Sequence, residues 1–157
     1  MAATKKLAII KAFNAPARES ILALQDHLKD MPQVELPLEH YFAPGLYARQ
    51  IFMKAGDLVV GKIHNHAHVN NISKGRVLVT TEFGKEELTA PCQFVSKPGT
   101  KRAVLVLEDC IWTTYHPTKE TDLAKIESDV IAKDYDEFER KQLSFFGKVK
   151  KLLQVSV

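Results

Sequence analysis

The feature that most constrains this chain is the middle of it. Between residues 39 and 118, short runs rich in β-branched and aromatic residues recur at even spacing, and each is closed by a turn signal. Runs of this kind fold as a sandwich or a barrel. Residues 47–53 and 58–63 read as strands around the turn Ala55, Gly56, Asp57. Lys74 and Gly75 precede a strand over 76–81, which a four-residue loop (Glu82, Phe83, Gly84, Lys85) returns into 86–89. A further turn falls at residues 96–100. Residues 102–107 and 110–115 read as a second hairpin with Glu108 and Asp109 at its tip. Counted outward from that tip, Lys101 lies opposite His116.

The flanks differ in period. In residues 1–38, Asn14 is a good helix cap and Pro16 suits a first turn. Ile21, Leu24 and Leu28 recur at helical spacing, with Leu22 and Gln25 widening the stripe, until Pro32 and Pro37 end it. In residues 119–157, Thr121 can cap a helix holding Leu123, Ile126, Val130 and Ile131. Phe138, Leu143, Phe146, Val149 and Leu152 then mark a last amphipathic helix, which Gly147 weakens. Its expected role is packing on the barrel or on a partner subunit. The expected organisation is therefore a helical segment over 1–38, a β barrel over 39–118 and a helical extension over 119–157.

The 157 residues are enough to bury a core without disulfide or metal staples. The net charge of +3 is small and its basic residues are dispersed, which argues against nucleic acid as a partner. The short runs Lys5, Lys6 and Lys148, Lys150, Lys151 read as solvated. Cys92 and Cys110 have no C-x-x-C spacing and read as reduced thiols of a reducing compartment. No run approaches the roughly 18 apolar residues of a membrane span, and residues 1–13 lack the apolar segment of a signal peptide. The expected location is cytoplasmic.

The chemistry concentrates in one run, GKIHNHAHVNNISKG at 61–75. His64, His66 and His68 stand at alternate positions, and in an extended strand alternate residues share a face. Each ring carries nitrogens that need partners, so three on one face make a costly core. Neutral imidazole is a favoured ligand for zinc, copper, iron and nickel. The competing reading is a surface cluster that binds metal only adventitiously. His116 closes the run 111–116, where Trp112, Thr114 and His116 share a face; a strand-end cap before Pro117 is the alternative for it.

These residues resemble the cupin superfamily. Gly61, the histidine run and Ser73, Lys74, Gly75 are similar to its first motif, and Lys97, Pro98, Gly99, Thr100 to its second; the likeness covers about residues 40–118. The resemblance implies a mainly β fold, a double-stranded β-helix barrel (jelly roll), with a metal inside its mouth and frequent homodimers. More narrowly, HYFAPGLYAR at 40–49, GKIH at 61–64, VSKPGTKR at 95–102 and EDCIWTTYHPT at 108–118 resemble small cupin-like proteins of tailed bacteriophages, and ETDL at 120–123 continues the likeness. That implies a viral protein working in the host cytoplasm.

The motifs depart from the family. Counting back from Gly75, the glutamate position holds His68 and a histidine position holds His64; the other histidine position holds Lys62, and His66 is left over. The second motif has Lys101 or Arg102 where its histidine belongs. The metal ligands implied are His64, His68 and His116, with His66 in reserve, around a divalent ion (zinc, iron, nickel or manganese). Three imidazoles leave open coordination positions, which suits a catalytic ion, while the missing carboxylate argues against oxygenase chemistry. Tyr47, Tyr115, Glu82 and Glu108 are the acid–base candidates. No nucleophile triad, phosphate loop or paired-carboxylate signature appears, so no reaction is assigned. The second functional class is non-catalytic: a small-anion site built on Lys62, Lys101 and Arg102, or a virion or assembly component docking through its terminal helices.

Overall fold

The computed structural model describes residues 2–15 and 17–152. Two helices, α1 (Ala2–Asn14) and α2 (Arg18–Lys29), precede strands β1 (Leu38–Ala43), β2 (Leu46–Met53), β3 (Leu58–Val60), β4 (Ile63–His64), β5 (His68–Thr81), β6 (Gly84–Thr89), β7 (Cys92–Ser96) and β8 (Ala103–Pro117). Then come α3 (Leu123–Val130), β9 (Ile131–Ala132) and α4 (Tyr135–Leu152). No helix among the described residues is long and apolar enough to cross a membrane.

The fold is mainly β, a jelly-roll barrel with helices at both flanks. Its frame is the antiparallel pair of long strands β5 and β8, which run through both walls. One end of this pair carries β2 and β1 on the β8 side and β7 on the β5 side. The other end carries β3 and β6. The two walls enclose Met53, Ile72, Val77, Val79, Val104, Val106, Cys110 and Trp112.

The bend between the walls sits at Gly75. Between the pairs Ile72↔Trp112 and Val77↔Val106, five steps on β5 oppose six on β8. An odd number of steps exchanges the two faces of a strand. Thus His68, Asn70 and Ile72 face inward before the bulge, and Val77 and Val79 after it. Gly75 has φ of 91°, and a Cβ there would lie 2.3 Å from the carbonyl oxygen of Asp109. Only glycine fits.

Residues 102–115 are therefore not a hairpin. Residues 103–117 form the single strand β8, and Glu108 and Asp109 lie on the outside of its bend. Arg76 pairs with Glu108 at 3.1 Å, and Asp109 Oδ1 accepts from the Ala55 N–H at 3.0 Å, so both acids have partners without a turn. The strand partner of His116 is Tyr47, not Lys101. Likewise Lys74 and Gly75 do not precede a strand but interrupt one, and residues 58–63 are two strands broken at Gly61 and Lys62. The turn before β6 is the two residues Glu82 and Phe83, with Thr81 paired to Gly84.

The apolar stripe of α2 buries Ile21 and Leu24, with Leu28 packed beside them. With Ala12 and Phe13 of α1 these cover the outward face of Ala103, Leu78 and Leu105. Asn14 ends α1 instead of capping α2; Ala17 holds that position and its N–H donates to Ser20 Oγ at 3.1 Å. Pro16 lies outside the described residues. Helix α3 is capped one residue later than Thr121, by Asp122, whose Oδ1 accepts from the Ala124 and Lys125 N–H groups. Ile131 leaves that helix for β9. In α4, Phe138 packs on Gly99, whereas Leu143 and Phe146 are exposed; the side chains of Val149 and Leu152 lie outside the described residues. Cys92 and Cys110 are both free thiols.

Candidate metal centre

Strand pairing places one row of side chains above another inside the barrel. Ile51 and Trp112 are paired across β2 and β8, then Arg49 and Thr114, then Tyr47 and His116. Asn70 of β5 pairs with Thr114 on the other side, one residue pair beyond Val69↔Tyr115. His68 follows at the end of β5. The interior thus turns from apolar to polar toward one mouth.

His64 reaches the same mouth by a different route. It sits on β4, which pairs with β9 through Ile63↔Ala132 and His64↔Ile131. Its carbonyl accepts from the Gly99 N–H at 2.9 Å, which ties it to the Pro98–Gly99 turn. The chain then bends between His64 and His68. Asn65 is buried, its N–H donates to Val130 O at 2.7 Å and its side-chain amide to Asp129 O at 2.8 Å. This bend breaks the extended run that the alternating histidines suggest. His66 falls on its outside, exposed, and does not join the cluster.

Three imidazoles do come together: His64, His68 and His116. Their ring centroids are 4.1 Å apart for His64 and His68, 5.0 Å for His68 and His116, and 5.5 Å for His64 and His116. Each is held neutral. Burial, then the neighbouring His68 and His116, push His64 down to about 2 from 6.5. Burial, then His68 and Arg49, push His116 down to about 4. Burial lowers His68 as well.

Neutral rings have lone pairs to offer. His68 Nδ1 donates to the carbonyl of His66 at 3.3 Å, which leaves the lone pair on Nε2. That Nε2 is buried without a hydrogen-bond partner, and so is His64 Nδ1. A buried polar atom left unpaired costs about 1–3 kcal/mol. His116 Nε2 lies 3.2 Å from Thr114 Oγ1. The donor type and the two orphaned nitrogens suit a borderline metal ion. The His64 and His116 rings are stacked, with 6° between their planes, and His68 is tilted to them by 36° and 34°. Ring lone pairs lie in the ring plane, so the parallel, facing rings of His64 and His116 do not aim at a point between them. Accordingly, no group of three or more His, Cys, Asp or Glu among the described residues is disposed to hold an ion as it stands.

Beside the histidines lies a cavity of about 270 Å³. Ile51, Met53, Val59, Val104 and Trp112 form its apolar part; Arg49, His64, His68, Asn70, Arg102 and Thr114 form its polar end. Trp112 Nε1 donates to Asn70 Oδ1 at 3.0 Å, Asn70 Nδ2 donates to Ser96 Oγ at 2.6 Å, and Arg102 donates to the same hydroxyl. This chain fixes the Arg102 guanidinium, whose pKa burial lowers to about 10.

Of the basic residues expected at the mouth, Arg102 and Lys62 line the cavity and Lys101 does not. Lys62 is paired with Glu127. Lys101 is buried away from the cavity, donating to Gly61 O at 2.9 Å, and its burial brings it down to about 8. Arg49 was missed: it reads as one polar position in a strand, and only the pairing with Thr114 shows that it faces inward. Of the acid–base candidates, Tyr47 stands beside His116, with centroids 6.1 Å apart. Glu82 pairs instead with Arg18, and Glu108 with Arg76.

No protein-family model matches the chain, and no curated protein matches it. Among solved structures it is similar to KdgF from Halomonas sp., at 19% identity over 55% of this chain and 86% of that one, with a TM-score of 0.46. It is also similar to a cupin-2 domain containing protein from Shewanella frigidimarina, at 12% identity over 60% and 91%, with a TM-score of 0.43. A third is a cupin superfamily protein from Desulfitobacterium hafniense, at 9% identity over 56% and 82%, with a TM-score of 0.46. The second and third are cupin proteins by name.

Proposed function

We propose that this chain is a metal-binding protein of cupin type in which His64, His68 and His116 hold one divalent ion at the mouth of the barrel. The observation that carries the reading is the pair of buried, unpartnered nitrogens, His64 Nδ1 and His68 Nε2, on rings 4.1 Å apart. Small rotations of these tilted rings turn such nitrogens toward a common ion. His68 is already fixed in the tautomer that offers Nε2. His66 is too exposed to take part. An ion held by three neutral imidazoles keeps open positions, and there it would supply Lewis-acid chemistry to whatever occupies the cavity. Phage origin and a homodimer rest on the sequence resemblance alone.

The test is elemental analysis of untagged protein, purified without chelator, beside the His64→Ala/His116→Ala double variant. The reading expects near-stoichiometric zinc, iron, nickel or manganese in the parent and its loss in the variant. A parent that takes up no metal even on reconstitution refutes it.

A further inference from the structure

The cavity beside the histidines is lined by cations and contains no acid. Arg49, Lys62 and Arg102 line it, and of these Lys62 is paired with Glu127, which is not among the lining residues. Among the described ion pairs, neither Arg49 nor Arg102 takes part. Arg102 is half-buried and rests on Ser96 Oγ, with its guanidinium 5.6 Å from the Phe94 ring. A charge kept out of water with only neutral partners is costly. A metal sharpens the imbalance, because three neutral imidazoles cancel none of its charge and two guanidinium groups stand nearby.

An anion resolves both problems. The rest of the cavity says what must be attached to it. Ile51, Met53, Val59, Val104 and Trp112 form a dry wall beyond the polar end, in a space of about 270 Å³. That suits a compact apolar body. Guanidinium pairs with a planar carboxylate through two parallel hydrogen bonds, a geometry a lysine does not offer.

We propose that the cavity binds a small apolar carboxylic acid, its carboxylate held by Arg102 and Arg49 beside the histidines, and that metal and carboxylate each strengthen the binding of the other. The coupling rests on the three-histidine metal reading. The carboxylate site does not.

Benzoate is the probe, followed by isothermal titration into metal-free and zinc-loaded protein. Benzamide, of the same shape without the charge, is the control. Benzoate is expected to bind both forms, zinc to tighten it by about tenfold or more, and benzamide to bind neither. Arg102→Gln should weaken benzoate by about tenfold in both forms. Arg49→Gln gives the same readout if the first variant fails to fold. Zinc binding without benzoate binding overturns the carboxylate site and leaves the metal reading standing. Benzoate binding that falls with Arg102→Gln in a protein that takes no zinc overturns the metal reading and the coupling, and leaves the carboxylate site. Equal affinity with and without zinc overturns the coupling. Equal binding of benzamide, or indifference to both arginine variants, overturns the carboxylate site.

Discussion

Metal-free protein should lose stability in mild acid through its histidine cluster. An unfolded histidine titrates near 6.5, whereas His116 in the fold titrates at about 4 because burial disfavours its charged form. Between those values the unfolded chain binds a proton that the folded one refuses. Stability is therefore full above the unfolded value and falls as the pH drops toward the folded one. At about pH 5 the linkage comes to roughly 2 kcal/mol for this ring. His64, lowered to about 2, adds a term of the same sign. His64 is only half-buried, and water reaching it reduces that term, so His116 is the cleaner probe. The assay is urea unfolding of chelator-treated protein at about pH 7.5 and about pH 5, for the parent and for His116→Gln. Other titrating groups are common to both proteins and cancel in the comparison. The parent should lose about 2 kcal/mol more than the variant over this interval. An equal loss in both would refute the claim that His116 is buried as a neutral ring.

Two further outcomes follow from geometry. Gly75→Ala should cost about 3 kcal/mol or more, since it adds a backbone collision with Asp109 to a strained dihedral; Gly56→Ala, with φ of 92° and open space around it, should cost only about 1 kcal/mol in the same denaturation assay. His68→Ala should strip bound metal while His66→Ala keeps it, as read by elemental analysis, and loss of metal from His66→Ala alone would return the ligand set to the His64 and His66 pair.

The β character of the middle of the chain, the turns at Gly56 and Gly99 and the apolar stripe of α2 were readable from residue order, because each is decided by neighbours a few positions away. The error over 102–115 has a physical source. Two acids inside an apolar run look like a hairpin tip, and nothing local reports that Arg76 and the Ala55 amide wait for them on the outside of a bent strand. Gly75 marks a break in either reading; whether the chain turns back or passes on to a second wall depends on a partner strand distant in sequence. The histidine cluster shows both sides. Counting from Gly75 along the motif the chain resembles selects His64 and His68, whose rings lie 4.1 Å apart. His116 was paired with the wrong strand, yet its alternation with Trp112 and Thr114 still put it on the inner face. His66 left the cluster because Asn65 is drawn to the end of α3, a contact no spacing rule contains.

That last contact has a consequence for how the protein is made. His64 is positioned by β9, and Asn65 by Asp129 and Val130, with Gln142 of α4 donating to the Asn65 carbonyl at 3.0 Å. The strands β1 to β8 leave the ribosome before α3, β9 and α4 and can pair as they emerge. Apart from the Gly99 tie, the contacts that seat His64 and Asn65 arrive only with the residues that follow them. A nascent chain stalled before Leu123 would hold His64 only through Gly99, without Asp129, Val130, Ile131 or Gln142, so the His64 side of the mouth is completed after the barrel.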